Sequence, residues 1–79
     1  ARRETSPAGP AMTAETQARI LEALQSLDEE FRLVAVLRDI EDMDYAEIAR
    51  VLDVPVGTVK SRLHRARTLL KDKLRHLVE

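Results

Sequence analysis

From Thr13 to Leu77 the large aliphatic residues return every three or four positions, the spacing that gathers one face of an α-helix. Ile20, Leu21, Leu24 and Leu27 set a first helix over 14–26, with Thr13 as its N-cap. Asp28 stands where a second helix starts, followed by Glu29 and Glu30 in the first turn, where the helix dipole favours acids. Phe31, Val34, Leu37 and Ile40 supply that helix's apolar face, widened by Leu33 and Val36, and its end is predicted near 39–40. After an acidic connection at 41–44, Asp44 opens a third helix. Glu47, three residues on, completes an Asp version of the capping box, while Ile48, Ala49 and Leu52 face inward. Asp53-Val54-Pro55 breaks this helix, because the residue before a proline is driven out of helical backbone. The last helix starts around 55–57, where proline's missing N–H would be unpaired anyway, and runs to about 77. Along it Val59, Leu63, Ala66, Leu70, Leu74 and Leu77 form a long amphipathic stripe.

These segments predict an all-α fold: a small four-helix domain over 13–79, containing a helix-turn-helix with a long C-terminal recognition helix. Its expected core is Ile20, Leu24, Phe31, Val34, Leu37, Ile48, Leu52, Val59, Leu63 and Ala66. Residues 1–12 carry Pro7, Gly9 and Pro10 and almost no large apolar side chain, and read as a flexible linker. Seventy-nine residues suffice for one domain, and the start at Ala1 rather than Met is expected of a piece of a longer protein.

The third helix, the break and the fourth helix together make the helix-turn-helix pattern. Ala49 is small where the second of these helices must cross closely, Leu52 and Val54 flank the turn, and Val59 points inward. Asp53 holds a turn position that is often glycine, and Asp tolerates the left-handed conformation at some cost. At about 100° per residue, Val59, Leu63, Ala66 and Leu70 cluster on one side of the last helix. Lys60, Ser61, His64, Arg65, Thr68 and Lys71 spread over the other, joined by Gly57 at the helix start. Such a face suits major-groove entry: glycine lets the backbone approach, Lys and Arg donate to guanine or phosphate, and Ser and His do either.

Charge sharpens this picture. The net charge is −1, but from Pro55 to Glu79 seven basic residues oppose two acids, whereas from Thr13 to Val54 four arginines oppose eleven acids. A basic half joined to an acidic half points to a polyanion partner for one end. The blander reading is a pair of solvated helix faces, and Arg67, Lys71 and Arg75, four residues apart, fit a solvated flank as well as they fit phosphate contact.

Other chemistry is thinly represented. There is no cysteine, which excludes a disulfide scaffold or a thiolate metal site and fits a cytoplasmic location. No apolar run approaches the roughly 20 residues of a membrane span, and no signal-peptide pattern is visible. His64 and His76 have no carboxylate or cysteine at ligand spacing, Ser61 has no evident base partner, and Gly57 belongs to no phosphate loop. Neither an enzyme nor a cofactor is expected. With two aromatic residues, Phe31 and Tyr45, stacking on single strands is disfavoured, and Tyr45 reads as a partly buried helix-start residue.

The run Asp44-Tyr45-Ala46-Glu47-Ile48-Ala49, followed by Val54-Pro55-Val56-Gly57-Thr58-Val59-Lys60-Ser61-Arg62-Leu63-His64-Arg65-Ala66-Arg67, closely resembles domain four of bacterial sigma factors, above all the extracytoplasmic-function (ECF) group. The likeness runs from about Gln17 to Leu74. It implies a last helix that enters the major groove of the minus-35 promoter element. By position it implies groove-facing roles for Lys60, Ser61, His64 and Arg65, close backbone approach at Gly57 and Thr58, and a phosphate-facing role for Arg62. It also implies protein partners: the flap of the RNA polymerase beta subunit and an anti-sigma factor. Family members often carry Leu-Pro at Leu27-Asp28 and Ser at Asp44; both departures keep a helix start. Two alternatives stand beside this reading. One is the output domain of a LuxR-type response regulator, which usually dimerises, whereas a monomer is expected here. The other is a module used chiefly for anti-sigma or polymerase contact.

Overall fold

A computed structural model describes residues 13–75. The linker expected over 1–12 lies outside the described residues, as do His76 and Leu77. Four helices follow one another: α1 (Ala14–Gln25), α2 (Glu29–Ala35), α3 (Tyr45–Leu52) and α4 (Val56–Lys73). A π turn, Val36–Ile40, continues α2 without a break. No strand occurs among the described residues.

Local chemistry sets the helix ends. The Thr16 N–H donates to Thr13 Oγ1 at 3.0 Å, capping α1. Both halves of the capping box at α3 are formed: the Glu47 N–H donates to Asp44 Oδ1 at 2.8 Å and the Asp44 N–H to Glu47 Oε1 at 3.2 Å. Asp28 does occupy the N-cap of α2, but its side chain makes no capping bond. Asp53 ends α3 in the left-handed region, at φ 59° and ψ 51°, and the Val54 N–H closes onto the Ala49 carbonyl at 3.0 Å. Pro55 then serves as N-cap of α4, so three residues separate the two helices. α4 closes at Lys73, short of the end expected near 77, because the backbone of its C-cap Leu74 leaves helical geometry at φ −96° and ψ 4°.

α4 packs most extensively against α2 and α3 and only lightly against α1. Leu24, Val34, Ile48, Val59, Leu63 and Ala66 of the expected core are buried; Ile20, Phe31, Leu37 and Leu52 are half-buried and lean on that cluster. Leu27 and Ala35, absent from the expected core, are buried as well. Ala35 and Ala66 are small residues inside the two helices in closest association, as close helix approach requires.

The π turn changes one expectation. Its wide winding, with the Glu41 N–H bonded to the Val36 carbonyl at 2.9 Å, takes more residues per turn than 3.6. Ile40 therefore leaves the apolar face of α2 and stands 61% exposed. Leu21 of α1 is also outside, at 56%. Gln17, Ile20, Leu21, Leu24 and Ile40 line an open apolar groove between α1 and this turn.

The same turn is tied to α4. Arg67 Nε donates to Asp39 Oδ2 at 3.2 Å and a second guanidinium nitrogen donates to Oδ1, a two-pronged pair across the fold. The hydrogen bond to Asp39 raises the Arg67 pKa above arginine's ordinary value. Arg67 thus ties α4 to the π turn while its side chain stays 51% exposed to solvent.

Candidate nucleic-acid interface

α4 presents two opposite faces. Val59, Leu63 and Ala66 are buried on one. Gly57, Lys60, Ser61, His64 and Arg65 are exposed on the other, while Thr58 and Arg62 sit half-buried at its edge. The structure thus brings all seven candidate residues into the first three turns of one helix, where base-edge contacts concentrate in helix-turn-helix domains.

Proline as N-cap leaves the helix start without a side-chain cap. The Thr58 and Val59 N–H groups fold back to the Pro55 carbonyl at 3.0 and 3.2 Å. The N–H groups of Val56 and Gly57 therefore point outward from a helix end that favours anions. At Gly57 a built Cβ would meet nothing within 4 Å, and its φ is not in the positive region. The fold itself makes no demand for glycine there.

The basic side chains differ in what already holds them. The side chains of His64, Arg65 and Lys60 make no hydrogen bond or ion pair among the described residues. The Lys60 ammonium does lie over the Tyr45 ring, 5.8 Å from its centroid. Arg62 is engaged: its guanidinium is 3.5 Å from Glu30 Oε1 of α2. Ser61 Oγ donates to the Thr58 carbonyl at 3.2 Å and Thr68 Oγ1 to the His64 carbonyl at 3.0 Å, so both hydroxyls keep acceptor lone pairs facing out. Lys71 is exposed, and Arg75, just past the C-cap of α4, pairs with Asp72 of its last turn.

Three participants escaped sequence reading. Glu30, Asp39 and Arg38 lie on α2 and its π turn, yet meet residues of α4 or α3. Spacing along the chain carries no signal for such pairs; the packing of α2 and its π turn against α4 and α3 creates them. Among the described residues no cluster of His, Asp or Glu is arranged to hold a metal ion, and no helix is long and apolar enough to cross a membrane.

A short α3, a three-residue turn and a longer α4 with a basic outer face define a helix-turn-helix domain. Residues 17–70 match the model of the Sigma-70, region 4 family, and the chain belongs to that family. It is a sigma-factor DNA-binding domain, a transcription-factor domain and not an enzyme. Among curated proteins it is similar to the ECF RNA polymerase sigma-E factor of Haemophilus influenzae, 32% identical over 73 residues, which are 92% of this chain and 39% of that protein. The sigma-E factors of Escherichia coli K12 and Salmonella typhi are each 34% identical over 74 residues, 94% of this chain and 39% of the relative. The chain thus spans about two fifths of the length of these relatives.

Proposed function

We propose that this chain is the promoter-reading C-terminal domain of an ECF-type sigma factor, and that α4 enters the major groove of the minus-35 element. The observation that carries the reading is the outer face of α4, where Arg65 and His64 are exposed and without a polar partner among the described residues, beside Lys60 and Ser61. Desolvating such groups without a recipient is costly, so a face of this kind suits a ligand that accepts hydrogen bonds. In this arrangement Lys60, Ser61, His64 and Arg65 meet base edges or phosphate in the groove, Gly57 and Thr58 admit the backbone closely, and Arg62 meets phosphate. The domain covers 13–79, acts as a monomer in the cytoplasm, and takes double-stranded promoter DNA and RNA polymerase core as partners. The family match favours this reading over a LuxR-type output domain.

A protein contact in addition to DNA binding is supported by the groove of Ile20, Leu21, Leu24 and Ile40, since contiguous exposed apolar surface marks interaction sites. The beta-subunit flap of the polymerase and an anti-sigma factor are the partners this surface would serve.

The test is selection of preferred duplexes from a random library by this chain, run alone and with polymerase core. A reproducible short consensus, sharpened by core, is expected. Enrichment of no sequence in either arm would remove the promoter-reading role.

A further inference from the structure

Tyr45 opens α3 immediately after the Asp44 cap, and its half-buried ring faces two cations. The Arg38 guanidinium stands 5.4 Å from the ring centroid and the Lys60 ammonium 5.8 Å. Both lie within the roughly 6 Å over which a cation is attracted to an aromatic face. The two are held differently. Arg38 is anchored, donating to the Met43 carbonyl at 2.9 Å and lying 3.9 Å from the Asp42 carboxylate. For Lys60 the Tyr45 ring is the one such partner among the described residues.

This difference matters because lysine is a compact charge on a flexible stem, and ordering it on binding costs side-chain entropy. The ring, in contrast, sits on a helix start fixed by a completed capping box. We propose that Tyr45 is a positioning residue for Lys60: its ring holds the ammonium on the exposed flank of α4, so that less freedom is lost when Lys60 meets DNA. The proposal rests on the reading of α4 as the DNA-facing helix. It assigns to Tyr45 a role beyond starting α3, and it makes the contact between the two helices of the helix-turn-helix part of how DNA is bound.

Two measurements on the whole chain test it. In the free protein, the Lys60 ε-methylene protons should resonate upfield of those of Lys71 and Lys73, shifted by the ring current. Tyr45→Phe should keep that shift and Tyr45→Leu abolish it. An unshifted Lys60 in the native chain overturns the proposal whether or not any variant folds, and leaves the DNA reading untouched. The second measurement is affinity for a short mixed-sequence duplex at low salt. Tyr45→Leu should weaken binding about two- to fivefold, the size expected for an exposed cation–π contact. Tyr45→Phe should bind as the native chain does. In a Lys60→Gln background, Tyr45→Leu should have no further effect. An equal loss in both backgrounds would overturn the proposal, because the ring would then act through the fold or through its own contact with DNA. A shifted Lys60 in a chain that binds no duplex would remove the DNA reading, and the positioning role with it.

Discussion

Glu30 on α2 and Arg62 on α4 form an ion pair at 3.5 Å that places one acid of the chain's acidic half directly beside the basic outer face of α4. Arg62 is the less exposed of the two, its side chain at 28% against 51% for Glu30. The pair is therefore partly screened by solvent, and its stabilising effect is under about 1 kcal/mol. Where Arg62 meets phosphate, as proposed, the carboxylate would compete for the same guanidinium.

Glu30→Gln should accordingly tighten binding to every duplex by a similar factor, about two- to fivefold at low salt, with little change in melting temperature. Isotherms on two unrelated duplexes check this. Unchanged or weaker binding would show that Glu30 supports Arg62 in place rather than competing for it.

Leu63 is 2% exposed and belongs to the cluster that joins α2, α3 and α4. Leu63→Ala leaves a cavity that neighbouring helices refill only in part, and should destabilise the fold by about 2–5 kcal/mol in chemical denaturation. A loss below about 0.5 kcal/mol would be what solvent-exposed sites show and would contradict the packing.

Local features of this fold are legible in the sequence, and features that depend on helix crossing are not. The Asp44–Glu47 capping box, the left-handed Asp53 and the two faces of α4 each involve residues within one or two turns, and all three appear as expected. The π turn has no such marker. Its hydrogen bonds skip one more residue than an α-helix uses, and Ile40, on the inward face by a 3.6-residue count, rotates outward as a result. Arg62–Glu30 and Arg67–Asp39 lie further from reach still, since the partners in the latter are 28 positions apart. Within the candidate site, the set of exposed residues was legible from the helical wheel. Which of them is already engaged inside the molecule was not.

Gly57 separates stability from function. It occupies ordinary helical backbone with open space around its Cα, so Gly57→Ala strains nothing. The substitution should stabilise the chain by about 0.4–1 kcal/mol, chiefly by narrowing the unfolded ensemble. If DNA backbone approaches this point closely, the same methyl group should weaken duplex binding. A variant that melts higher and binds less tightly is the expected result. One that melts higher and binds equally well would place the DNA backbone elsewhere.

Arg65 and Arg62 should divide sequence choice and general affinity between them. Arg65 is exposed, lies well into α4, and has no polar partner among the described residues. It can therefore extend both prongs of its guanidinium to the O6 and N7 of a guanine, a pairing that discriminates between bases by roughly 1–3 kcal/mol. Arg62 is offset from it by about 60° around the helix, toward the core boundary. There its guanidinium is already directed sideways to Glu30, an orientation suited to the phosphate backbone and not to the floor of the groove. Binding of Arg65→Ala and Arg62→Ala should be compared on the selected duplex and on its single-base variants. Arg65→Ala should flatten the preference at one or two guanine positions. Arg62→Ala should weaken all duplexes about equally and lower the salt dependence by about one unit of slope, the share of a single phosphate contact. The reverse outcome would mean that the face of α4 meeting the bases is rotated by one position, with Arg62 inside the groove and Arg65 on its wall.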